Sequence, residues 1–146
     1  MQQLLFLPGW LKDFSVFGNF TRLNTRGSYG GTAAAPTTQL VGFVPTSGNA
    51  GISFAKFGLD ARIKGTYKGE WLTAFSANAG AVRWTKSRTN IDLNLLYNFR
   101  RRYSVFFDWA NILRVADNVD YQYRPALVRT NNPTGARLNF GVRARL

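Results

Sequence analysis

Two carboxylates, Asp60 and Asp92, can be read as a general acid and base, since each stands among alternating polar and apolar residues that bring polar side chains to one face. Cations occupy the same pattern: Arg62 and Lys64 beside Asp60, and Arg137 in a later segment. On neighbouring antiparallel strands, pairing of those charges is the better reading. Catalysis would also need a cleft that shifts a pKa, or a nucleophile, and neither is legible. With no cysteine and no histidine there is no disulfide, thiol chemistry or imidazole base, and no zinc or haem site of the usual ligand types. We therefore expect no enzyme, no metal and no cofactor.

Cations and aromatics carry the remaining chemistry. Lys+Arg 19 against Asp+Glu 7 gives a net charge of +12, with a pI of about 10.9. Composition and the run Arg100-Arg101-Arg102 point towards nucleic acid. The position of that run, between two strands, instead makes it a solvated hairpin turn. Trp71, Trp84, Tyr121, Tyr123 and Arg124 fall in long connections, where they are candidates for ligand contact as well as for loop packing.

The elements that must position these residues are strands. The chain has 146 residues, enough for one domain. Charged residues are 18 %, below the roughly 25 % of an average soluble domain. Glu70 is the only glutamate and Met1 the only methionine, while aromatics reach 15 %, which disfavours helices. No apolar run approaches the ~18 residues of a transmembrane helix. Leu4 to Leu7 is too short for a secretory signal and lacks a positive flank.

Period-2 alternation is clearest in Leu59 to Lys68, where odd positions are apolar or small and even ones polar. Five other segments share it: Phe14 to Thr21, Ala50 to Ala55, Asn90 to Phe99, Tyr103 to Ala110 and Ala136 to Leu146. About three turn residues around Phe57-Gly58 join the second and third segments, and Arg100 to Arg102 join the fourth and fifth. The other connections, 25 to 48, 70 to 88 and 112 to 134, are each about twenty residues long, unusual for loops of a compact soluble domain. Short turns at one end and long loops at the other fit an outer-membrane barrel. Phe99 and Tyr103 at the short-turn end, and Phe20, Tyr67 and Trp109 towards the other, fit two interfacial girdles.

The expected architecture is thus all-β: an antiparallel up-and-down transmembrane barrel segment of about six strands, with short periplasmic turns and long extracellular loops. Its lumen-facing candidates are Asp60, Arg62, Lys64, Asp92, Asn94, Arg137 and Arg143. The smallest such barrels have about eight strands, and open edges in lipid leave costly unpaired backbone groups. Residues 1 to 146 are accordingly expected to be a fragment, with Met1 to Leu5 the tail of a preceding strand that enters a turn at Leu7-Pro8-Gly9.

Specific segments carry a family resemblance. Leu7 to Thr21 (LPGWLKDFSVFGNFT) is similar to the LPGxLKGLSVxxNYT run of TonB-dependent outer-membrane receptors. Val44-Pro45-Thr46-Ser47-Gly48-Asn49 resembles their VPxHxxN. Asn90 to Leu93, followed by Tyr103 to Leu113 (YSVFFDWANIL), resembles their LDL and VFFDVxNL stretch. Gly135 to Leu146 resembles the closing GRxFxLGVRxRF, with Leu146 in place of the terminal aromatic; Ser47 stands where the family often has histidine.

The resemblance implies the last six strands of a plugged barrel of about 22 strands, located in the cell outer membrane. It also implies uptake of a scarce ligand (ferric siderophore, cobalamin or glycan) energised through TonB. The implied partners are outer-membrane lipid, the plug domain and remaining strands, the TonB complex acting through an N-terminal region that this chain lacks, and the assembly machinery, which would read Leu138, Phe140, Val142 and Leu146 on the final strand. Acids on the plug are the favoured counter-surface for lumenal cations, with steering of an anionic ligand as the other option. No nucleic acid is expected. The alternative is a basic soluble β protein that binds single-stranded nucleic acid by stacking on a cationic face, which requires aromatics and cations to share that face.

Overall fold

The computed structural model describes Gly9 and residues 11–29, 39–99, 102–122 and 127–144. Several expectations lie outside these residues: the strand tail at Met1 to Leu5, most of the Leu7-Pro8-Gly9 turn, Arg100 and Arg101, the loop candidates Tyr123 and Arg124, and the terminal Leu146.

The described chain is all-β and antiparallel, and its sheets do not close into a barrel. Six strands form the main sheet in chain order: β1 (Phe14–Arg22), β2 (Thr46–Lys56), β3 (Leu59–Lys68), β6 (Arg88–Phe99), β7 (Tyr103–Ala110) and β10 (Arg137–Ala144). Each alternating segment of the sequence is one of these strands. The largest shift is in β2, which starts four residues early, at Thr46, because Ser47 and Thr46 pair with Thr21 and Arg22.

The β2–β3 turn is tighter than expected, with Phe57 (φ 52°) and Gly58 (φ 81°) as its two central residues. Positive φ at both is the mirror-image turn whose twist matches that of flanking strands. Gly58 is also required by space, since a Cβ there would stand 2.5 Å from the Asn98 carbonyl oxygen. Its own carbonyl accepts a hydrogen bond of 2.7 Å from Asn98 N, which anchors the turn to β6.

The long connections depart most from expectation. Residues 70 to 88 contain β4 (Trp71–Ala74), a single 3-10 turn (Ala79–Ala81) and β5 (Arg83–Thr85); residues 112 to 134 contain β8 (Asn118–Gln122) and β9 (Val128–Asn132). These four strands form a second sheet, in the order β4-β5-β8-β9. Physically, the β3/β6 and β7/β10 hairpins continue past the main sheet, and β5 joins β8 laterally. The strands are only three to five residues long and interrupted by bulges at Leu72/Ala74 and Asp120/Tyr121, so no long period-2 run marks them.

The hydrophobic core of the described residues lies in this outer sheet, where Leu72, Val82 and Tyr121 are buried. The segment before β2 packs on it: Gly42 N donates to Leu72 O at 2.8 Å, and Tyr29 stacks on Phe75 with ring centroids 3.8 Å apart.

Candidate functional site

The register of the main sheet sorts its side chains into two faces. One cross-strand row runs over all six strands through Val16, Ile52, Ile63, Leu93, Trp109 and Leu138. The row two residues along is Phe14, Phe54, Ala61, Leu95, Phe107 and Phe140. Both are wholly apolar, and nothing among the described residues covers them: Ile63 is 54 % exposed and Phe140 78 %. An apolar hollow of ≈ 710 Å³ lies here, lined by Val16, Ile52, Ile63 and Leu93 among others.

Aromatics gather towards the ends of this face. Tyr97, Phe99 and Tyr103 stack in succession, with centroids 6.3 and 5.7 Å apart, beside the short turns. Phe20 and Tyr67 flank Gly48 in one row towards the other end. Trp109, expected towards the long-connection end, lies near that end of β7 and pairs with Leu93, which puts it in the row of Ile63. Lys56 joins the face at its short-turn edge, paired with Asp13 and 5.2 Å from the Phe57 ring centroid. That is the placement of a long side chain whose stem lies on apolar surface while its charge reaches out.

The opposite face carries the polar row Ser15, Ser53, Arg62, Asn94, Asp108 and Asn139. All seven sequence candidates for this face, Asp60, Arg62, Lys64, Asp92, Asn94, Arg137 and Arg143, share it. They line two adjoining clefts of ≈ 580 and ≈ 480 Å³ that have Asn94, Asp108 and Asn139 in common. Ser53 and Ser104, on this face, are buried.

The expected charge pairing is not made. Among the described residues the ion pairs are Lys56–Asp13 and Arg88–Asp117. Lys64 does stand opposite Asp92 in the register, but the Asp92 carboxylate instead accepts Asn111 N at 2.9 Å. Asp108 accepts Asn94 Nδ2 at 2.8 Å. Asp108 and Asn139 went unnoticed as sequence candidates although their alternation places them on this face, and with Asp108 the trough has three carboxylates against four cations.

The polar face is not free of aromatics. Phe17 lies over Gly51, where a Cβ would meet the ring at 2.5 Å. Phe106 carries the Arg143 guanidinium 6.0 Å from its centroid, an aromatic and a cation on one face. Asn90 Oδ1, towards the long-connection end of the same face, is buried without a hydrogen-bond partner.

A polar joint ties the trough to the outer sheet. Asn111, buried and left-handed (φ 53°), donates through Nδ2 to Val115 O (2.9 Å) and Thr134 O (3.1 Å), while its Oδ1 accepts Val115 N (3.0 Å). Asparagine suits this position because it tolerates the left-handed region and its amide satisfies three backbone groups. In the outer sheet, Tyr121, a candidate for touching ligand, is 5 % exposed and donates its hydroxyl to Glu70. Burial, then that hydrogen bond, raise its pKa above the ordinary 10.0. It is a core residue. Trp71 and Trp84 are half-buried, Trp84 lying between Leu72 and Tyr121 in the register.

No helix among the described residues is long and apolar enough to cross a membrane, and no cluster of three or more potential metal-ligating side chains is found among them. Comparisons with protein-family models, with curated proteins and with solved structures return no match.

Proposed function

We propose that this chain is the lipid-embedded end of an outer-membrane transport barrel of the TonB-dependent receptor type, taking up a scarce ligand. The observation that carries the reading is the inverted exposure of the six-stranded sheet: its apolar rows are open while Ser53 and Ser104 are buried. An apolar face six strands wide is far larger than the scattered exposed residues of a soluble monomer. Lipid on that face and water or a plug on the other satisfies both. The sequence resemblance agrees with this arrangement, and Asn111 of the VFFDVxNL-like stretch has a physical role as the joint between sheets. The edges of β1 and β10, unpaired among the described residues, would pair with further strands, as a membrane requires.

Single-tryptophan variants in vesicles with brominated acyl chains test the reading. Trp109, in the middle apolar row, should be quenched by the bromines, whereas Trp84 in the outer sheet should answer only to aqueous acrylamide. Quenching of Trp109 by acrylamide alone would sink the membrane assignment. Phe106 beside Arg143 and Phe57 beside Lys56 give the nucleic-acid alternative two separate contacts between an aromatic and a cation. It lacks a series of such contacts, since the main apolar rows face away from the cations. Salt-sensitive retention of single strands by detergent-free monomer would favour it.

A further inference from the structure

After Phe57 at its turn, the most exposed large apolar side chains of the described residues are Phe140, Phe20 and Val142. All three lie on β1 or β10, the two edges of the main sheet. Edge strands of soluble sheets are commonly protected by lysine, proline or a bulge that turns the edge away. Neither β1 (FSVFGNFTR) nor β10 (RLNFGVRA) contains lysine or proline, and the register of each with its inner neighbour is unbroken. The outer sheet manages its edges differently: Gly42 N bonds the Leu72 carbonyl on β4, and Pro133 follows β9 directly.

The two edges fit one another. Every neighbouring pair in the sheet is antiparallel, so β1 and β10 run in opposite directions, and β10 of a second copy can lie antiparallel beside β1. Like faces must stay together, because a one-residue slip carries apolar side chains to the polar side. Among the registers that meet this condition, a single one pairs every residue of β10 with a residue of β1. It sets Phe14 opposite Ala144, Gly18 opposite Phe140 and Phe20 opposite Leu138 on the apolar face, with Phe17 opposite Gly141 and Asn19 opposite Asn139 on the polar face. A phenylalanine thus meets a glycine on either face. Gly18 has room for the Phe140 ring, since the atoms nearest to a Cβ there are 3.6 and 3.8 Å away. The sheet already uses this device within one chain, where Phe17 stands opposite Gly51 and Phe106 opposite Gly141. No like charges meet, because Arg137 and Arg143 fall opposite Thr21 and Ser15.

We propose that a second copy of this chain is the partner of both edges, β1 of each copy pairing with β10 of the other, so that two six-stranded sheets close into one barrel. One sheet is too narrow to close, since the smallest such barrels have about eight strands; two suffice. The joint is heterologous, and a two-fold rotation about the barrel axis repeats it and leaves no edge open. A single added strand would satisfy one edge and expose another, whereas a copy satisfies both. The edge pairing does not need the transport reading; the lipid around the barrel does.

Disulfide trapping of the full chain in detergent tests it, and the absence of native cysteine means that only introduced thiols report. Chains bearing Asn19→Cys mixed with chains bearing Asn139→Cys should form a covalent dimer under mild oxidation, while neither variant does so alone. Asn19→Cys mixed with Arg137→Cys should link at least about fivefold less, because residues two positions out of register stand too far apart for a disulfide. Detergent-corrected light scattering should give the parent the mass of two chains. Gly18→Phe should lower the dimer fraction at least about fivefold by overfilling the space for Phe140, and adding Phe140→Ala to that variant should restore it. Near-UV circular dichroism confirms that each variant keeps its outer sheet. Monomeric mass of folded protein, linkage as strong for either single variant as for the mixture, or equal linkage at the two registers would overturn the proposal. So would failure of Phe140→Ala to restore dimers, or a doubly substituted Asn19→Cys, Asn139→Cys chain that links into an endless ladder rather than stopping at two. Brominated-lipid quenching is read separately: dimers whose Trp109 never meets lipid would leave the edge pairing standing and remove the membrane reading, and quenched monomers would do the reverse.

Discussion

The outer four-stranded sheet and the main six-stranded sheet hide opposite kinds of residue. In the outer sheet Leu72 is wholly covered and Val82 and Tyr121 nearly so, with Thr85 and Asp120 bonded to each other beside them. In the main sheet the covered side chains are serines, and isoleucine, phenylalanine and valine stand open. Both regions are antiparallel and both have polar and apolar faces, so strand pattern alone does not distinguish them. What differs is the medium each apolar face requires. The outer sheet supplies its own, through Leu72, Val82 and the segment reaching back from Gly42. The main sheet must find it outside the described chain, and lipid is the medium we propose.

The contrast is broken most directly by a cavity. Leu72→Ala should destabilise the outer sheet by about 2 to 5 kcal/mol, the cost of a buried leucine truncation. The comparable truncation Ile63→Ala on the open face should cost under about 1 kcal/mol in detergent-free protein, because an exposed side chain has little burial to lose. Chemical denaturation read at the outer-sheet tryptophans would measure the first; equal effects at the two sites would mean that the main sheet has a covering layer.

The medium itself is probed by charge. Leu93→Arg in a lipid-inserted barrel should cost about 2 to 4 kcal/mol, while Asn94→Arg, one residue along on the trough side, should cost under about 1 kcal/mol. Heat-modifiability gels of folded and unfolded protein in vesicles give the comparison. Equal losses would dismiss a lipid-facing role for the Leu93 row.

The main sheet was legible in the sequence because its strands are long. Ten residues from Leu59 to Lys68 alternate without a break, and that alone predicts both the strand and its faces. A face, however, is not a set of contacts. Asp92 shares its side with Lys64, yet it turns to the backbone of Asn111, a partner nineteen residues away whose position depends on the left-handed end of β7. The outer sheet was illegible for a different reason. A strand such as Arg83–Thr85 is too short to show a period, and its fold depends on lateral pairing with residues 120 to 122, a non-local contact. Tyr121 therefore read as a loop aromatic open either to ligand contact or to loop packing, and the pairing buries it.

The joint between the two regions can be loosened selectively. Asn111→Ala removes the hydrogen bonds to Val115 and Thr134 and places a Cβ-bearing residue without a local bond in the left-handed region. We expect a loss of about 1 to 3 kcal/mol in the outer sheet. Asn111→Gly restores the backbone freedom without the bonds, so it should recover only part of that loss. Amide exchange should rise at Val115 and not at Ile63. Protection unchanged at Val115 would show that the amide does not hold the joint.

The smallest effect expected at neutral pH concerns Tyr121. Tyr121→Phe removes one hydroxyl and leaves Glu70, an exposed residue, to water, so its cost should be about 0.5 to 1.5 kcal/mol. Its signature lies in alkali. The folded phenol titrates above the ordinary 10.0 because burial and the Glu70 carboxylate both oppose a phenolate. Above that value the unfolded chain gives up a proton that the folded chain retains. The stability carried by the raised pKa is therefore fully present below pH 10.0 and falls as pH climbs towards the folded value. Lysines and the other tyrosines contribute their own slopes, so the comparison must be with the phenylalanine variant. Denaturation midpoints of the two proteins should run parallel from about pH 7 to 9 and then converge, as the parent loses what the variant never had. Parallel curves throughout would show that Tyr121 is no more protected in the fold than in the unfolded chain, and would remove it from the outer-sheet core.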